Sequence, residues 1–116
     1  MKVLALIYAD ESRWETFDEQ QREAVYVKYR AFGEAAADRI VDGAELASTR
    51  AATTVRVREG QTLVTDGPFT ETKEALGGFY LLDCSSLEEA AEVAARIPGA
   101  EHGAIELRPA REEAAA

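Results

Sequence analysis

The sequence predicts a single α+β domain, an antiparallel sheet with two helices on one face and an extra β-hairpin. Three observations predict it. Short apolar runs at 3–7 and 79–82 are too brief for helices and read as central strands. A stripe at helical spacing runs through Val25, Tyr29, Phe32, Ala36 and Ile40. A second helical pattern follows Ser85-Ser86, where Glu88 and Glu89 stand three residues on from each serine, as in a capping box. The 116 residues suit one domain, and 47% apolar residues can fill one core.

In chain order, Lys2–Tyr8 is the first strand and 14–41 the first helix, extended at its start by Trp14 and Phe17 and ended by Asp42-Gly43. A short extended piece covers 44–48. Thr53–Arg58 alternates, with Val55 and Val57 on one face and Thr54, Arg56 and Arg58 on the other. Glu59-Gly60 is a two-residue hairpin turn and Thr62–Thr65 the return strand, which Asp66-Gly67-Pro68 stops. Residues 70–76 are irregular. Gly77-Gly78 opens the strand 79–84, the second helix ends at Pro98-Gly99, and Ala104–Arg108 is the last strand, closed by Pro109. The domain is expected over 1–109, with 110–116 a frayed tail. This order fits a ferredoxin-like sheet whose right-handed crossovers put the first and last-but-one strands in the centre. The second sheet face is then bare, and a homodimer is the simple way to cover it.

Charge narrows the function. Thirteen basic against 22 acidic residues leave a net charge of −9, which repels phosphate backbones and anionic lipid surfaces. Nucleic-acid and membrane binding are therefore not expected. The apolar start Met1–Ile7 is too short for a secretory leader and is cut off by Asp10-Glu11, so a cytoplasmic location is expected. Cys84, the one cysteine, has no partner for a disulfide and reads as a packed residue. No phosphate loop, zinc ligand cluster or helical His pair is present, and no cofactor is expected.

The densest local signal is Thr65-Asp66-Gly67-Pro68-Phe69-Thr70-Glu71-Thr72-Lys73-Glu74. Asp66 can bond the turn backbone, Gly67 allows a close approach to a ligand, Pro68 stiffens the loop, and Phe69 can anchor it or roof a pocket. The bland alternative is a plain turn. His102 is the one side chain that ordinarily titrates near neutrality. Just before the last strand, it could act as a base partnered by Asp66, Glu101 or Glu106, or stand free in solvent. Arg56, with Arg58, could clamp an anion, or pair with local acids. Tyr8 and Tyr80 could line a pocket at strand ends, or simply pack.

The blocks Thr53–Arg58, Leu63–Glu74, Leu76–Tyr80, Ala95–Gly103 and Glu106–Pro109 resemble the DGPF-domain family of the YCII-related group. The resemblance spans nearly the whole chain and is most specific over 65–80. It implies a ferredoxin-like fold dimerised into an α/β-barrel-like assembly, with a small cleft near the dimer interface. It implies a bacterial protein, and many relatives are encoded beside extracytoplasmic-function sigma factors. Wider YCII relatives carry a His near the first helix that is proposed to work with an Asp. The segment 14–41 here has no His, so only Asp66 and His102, with Gly67 and Pro68, match. Two readings follow: a homodimer that binds a small, anionic molecule near Asp66 and His102 with acid–base chemistry available, or a non-catalytic regulatory partner, for instance of a sigma factor. Monooxygenase or isomerase activity rests on fold analogy alone.

Overall fold

A computed structural model describes residues 1–112. The elements are β1 (Lys2–Ala9), α1 (Glu11–Glu15), α2 (Glu19–Ala35), β2 (Ile40–Glu45), a 3₁₀ turn (Thr49–Ala51), β3 (Thr53–Arg58), β4 (Gln61–Asp66), β5 (Ala75–Asp83), α3 (Leu87–Ala94), a second 3₁₀ turn (Pro98–Glu101) and β6 (Ala104–Pro109). Four strands form an antiparallel sheet in the order β2–β5–β1–β6, with β1 and β5 central as the crossover argument requires. β3 and β4 form a separate two-stranded arm. No helix among the described residues is long and apolar enough to cross a membrane.

The core lies between one sheet face and the helices. Val3, Ala5 and Leu82 from the central strands meet Phe32 and Ala36 of α2, Ala90, Val93 and Ala94 of α3, and Ile97. Ile7, Tyr29, Ile40, Tyr80, Ile105 and Leu107 pack around that cluster. Small residues on α3 let its backbone lie close to the sheet. The alternate residues of β1 and β5, Leu4, Leu6, Phe79 and Leu81, stay outside this cluster and are half-buried. Register aligns them across the second face, Leu4 beside Leu81 and Leu6 beside Phe79. Cys84 is buried, and burial pushes its thiol pKa up, as a packed residue should behave.

The helix expected over 14–41 is three elements. Asp18 starts α2 with a full capping box: its carboxylate accepts from the Gln21 N–H (2.8 Å), and the Gln21 side chain accepts from the Asp18 N–H (2.9 Å). Those bonds fix an extended Asp18 and break the chain from α1. Trp14 still packs, edge-on, against Tyr26 of α2, at 5.6 Å between centroids. At the other end Asp42-Gly43 is no helix cap, because Ile40–Glu45 pairs with β5. Gly43 is required by packing: a Cβ there would lie 2.8 Å from the Tyr80 ring and 2.9 Å from the Phe79 carbonyl oxygen. The extended piece expected at 44–48 is the end of this strand. Gly77-Gly78 does not open β5, which begins at Ala75. Gly78 pairs with Ile7 and Leu76 with Tyr8, so Gly77 is the extra residue of a β-bulge. Of the tail expected at 110–116, Ala110 donates its N–H to the Lys2 carbonyl (2.9 Å), and 113–116 lie outside the described residues.

Three carboxylates tie the surface together, each with a pKa below its usual range. Asp83 is lowered by its bond from Lys2 Nζ (2.8 Å), Glu89 by the Ser85 N–H and by Arg39, and Asp10 by the Ser12 hydroxyl and N–H. A depressed folded pKa gives stability that is present above the unfolded value and lost as pH falls through the folded one. The urea midpoint should therefore be flat above the ordinary carboxylate values, 3.8 for Asp and 4.5 for Glu, and decline below them. The double variant Asp83→Asn, Glu89→Gln should decline less steeply on acidification. An acid limb identical to that of the unmodified chain would show that these contacts are energetically silent.

Candidate functional site

The arm and its turn are built by local rules. Thr53–Arg58 and Gln61–Asp66 pair in full register, from Thr53 opposite Asp66 to Arg58 opposite Gln61. Glu59 and Gly60 both have positive φ (51° and 77°), the turn geometry that matches strand twist. At the base Gly67, with φ 91°, donates its N–H to the Ala52 carbonyl (2.7 Å), and the Thr54 hydroxyl donates to the Gly67 carbonyl (2.8 Å). Thr54 and Ala52 thus hold the turn, the job sequence reasoning gave to Asp66. The Asp66 carboxylate takes no hydrogen bond or ion pair among the described residues. α1 fixes the arm's other root: Glu11 accepts from the Thr49 N–H (2.7 Å) and hydroxyl (2.6 Å), and Arg50 pairs with Glu15 at 2.8 Å.

One end of the sheet gathers the remaining polar groups. Tyr8 pairs with Leu76 on one side and Ala104 on the other. The loop leading from Asp66 into β5 and the turn carrying His102 therefore reach the same strand end. Gly103 makes that junction tight, since a Cβ on it would collide with the Tyr8 carbonyl oxygen. Lys73, on the incoming loop, is close enough to Asp10 to add to the lowering of its pKa. Asp10 caps α1, accepting from the Ser12 N–H (3.0 Å) and hydroxyl (2.6 Å). Tyr8, Asp10, Lys73 and His102 are thus set at one end of the sheet by strand pairing and by an Asx-type cap. Asp10 was not singled out from the sequence, and Lys73 stood in the dense 65–74 segment without a role of its own. The Asp10-Glu11-Ser12 cap pattern was the available signal for Asp10, whereas Lys73 needed the register.

The other expected site residues are spread apart. Tyr80 faces the core and stacks on Phe32 at 5.1 Å, the sheet face opposite Tyr8. Burial raises its pKa, and that of Tyr29 beside it, so both hydroxyls keep their protons. Arg56 lies on the arm with Arg58, with no carboxylate partner among the described residues. Phe69 is 74% exposed, so it does not anchor the loop in the core as the sequence allowed. His102 caps the 3₁₀ turn and is exposed, and no hydrogen bond joins it to Asp66, Glu101 or Glu106 among the described residues. Two concavities lie elsewhere, about 580 Å³ beside Arg22 and Tyr26 and about 400 Å³ beside Arg39 and Cys84. Among the described residues no three His, Cys, Asp or Glu side chains converge as metal ligands.

A ferredoxin-like sheet with its core on one face, a projecting hairpin and polar loops at a single strand end defines a small α+β class. A family model described as YCII-related domain matches residues 1–114, and the chain belongs to that family. It is also similar to an uncharacterized protein of Rhizobium meliloti (strain 1021). The two are 40% identical over 118 residues, covering 94% of this chain and 91% of the relative.

Proposed function

We propose that this chain acts as a homodimer that binds a small anionic molecule at the end of its sheet, between His102 and the loop from Asp66 to Lys73. The observation that carries the reading is the double pairing of Tyr8 with Leu76 and Ala104, which brings both loops to one strand end. Lys73 and His102 put cationic or protonatable groups there, in a chain whose net charge is −9. An anion would be drawn to that spot and repelled by most of the remaining surface. Asp66, spared from holding its own turn, is available to exchange a proton with a ligand that His102 also contacts. In this reading the bare face of one sheet meets that of a second copy, the subunits closing into a barrel-like dimer around the cleft.

The test is a thermal-shift screen of small carboxylates and inorganic phosphate against the wild type, Lys73→Gln and His102→Gln. A ligand present at about 100 times its Kd should add about 2.7 kcal/mol of stability. The expected result is an upward shift for at least one anion, diminished in both variants. Shifts of equal size in all three proteins would place the anion elsewhere.

A further inference from the structure

The arm presents a surface that the single chain does not use. The pairing of Thr53 with Asp66, Val55 with Val64 and Val57 with Thr62 fixes which side chains share a face. Val55, Val57 and Val64 lie together on one face, and Asp66 projects from the same face at its base. These valines are 61%, 59% and 62% exposed, on strands with no buried residue at all. A β-branched row on a two-stranded hairpin has little reason to be ordered alone, since such hairpins are marginal without a third layer. Area points the same way. The chain exposes 8270 Å², about a third more than the roughly 6200 Å² expected of a compact monomer of 12.6 kDa. Its radius of gyration is 16.3 Å, against about 13 Å for a compact chain of this length. That surplus exceeds the roughly 800 Å² per partner that a standard stable interface needs.

Charge selects the occupant. Arg56 and Arg58 balance Glu59 and Asp66, so the arm is neutral and the whole net charge of −9 sits on the rest of the chain. Two bodies so acidic repel each other, whereas a neutral, valine-faced arm can approach an acidic body without that repulsion. We infer that the valine face of the arm docks on a second copy of this chain, drawing Asp66 into the rim of the contact, so that the candidate cleft is complete only in the dimer. This rests on the homodimer proposed above and adds the element that grips the partner.

Two variants test it by sedimentation equilibrium. Val55→Lys with Val64→Lys puts charge on the docking face. A shortened arm, with residues 55–64 replaced by Asn-Gly, keeps the Thr54–Thr65 pair, the Thr54–Gly67 bond and Asp66. Both leave the core untouched, which far-UV circular dichroism checks. The inference expects the dimer dissociation constant to rise at least about 100-fold in each. A constant within threefold of wild type in either variant overturns it while leaving a dimer through the sheet face intact. A wild type that stays monomeric overturns both.

Discussion

Gly103→Ala should unfold much of the protein's margin of stability. The added methyl would run into the Tyr8 carbonyl oxygen and lie near the Ala9 Cα, both backbone of the central strand β1. Neither atom can step aside without breaking the pairing of Tyr8 with Leu76 and Ala104. Overpacking against mobile side chains costs about 1–3 kcal/mol, and against fixed backbone the upper end or beyond is expected. On a total stability of about 5–15 kcal/mol, a loss near 3 kcal/mol should lower the melting temperature by more than about 10 °C. Gly33→Ala is the built-in contrast. It lies inside α2 with open space around its Cβ position. The same methyl there should stabilise by about 0.5–1 kcal/mol through helix propensity. A Gly103→Ala protein that melts with the wild type would mean that the junction is looser than described.

Leu6→Lys should abolish the proposed dimer without unfolding the chain. Leu6 lies outside the core cluster, half-buried on the second sheet face, beside Phe79 and Glu106 in the neighbouring strands. In a lone chain a lysine there can run its stem along the sheet and keep its ammonium wet. In a face-to-face dimer the twofold axis brings two such ammoniums into one desolvated layer, and even paired across the strands with Glu106 a buried charge costs several kcal/mol to desolvate. The dimer dissociation constant should rise by at least about 1000-fold, since each 1.4 kcal/mol is a factor of ten. The monomer's melting temperature should change little. Unaltered association would exclude the bare face as the contact.

The sheet was legible where both faces of a strand are apolar, as at Val3–Ile7 and Phe79–Leu82, because such runs admit few other readings. The hairpin was legible through the alternation of Thr53–Arg58 and the Glu59-Gly60 turn. The helix boundaries were not. Ile40 continues the spacing of Val25, Tyr29, Phe32 and Ala36, yet it packs on the same core from β2, which periodicity cannot distinguish from one more helical turn. Gly43 imitated a cap while serving as clearance for the Tyr80 ring. At the candidate site the sequence marked the turn at Asp66–Phe69 correctly but misjudged its mechanics, since Thr54 thirteen residues upstream supplies the bond expected from Asp66. Tyr8 and Tyr80 looked equivalent by composition. Tyr80 pairs with core-facing Ala5, whereas Tyr8, three residues on in β1, alternates to the other face, a distinction that only register reveals.

The central claim is that two chains meet over the bare sheet face and the valine-faced arm. Sedimentation equilibrium of the wild-type chain at low micromolar concentration tests it most directly. The account predicts a single species of twice the chain's 12.6 kDa. A stable, folded species at the monomer mass under those conditions would contradict it.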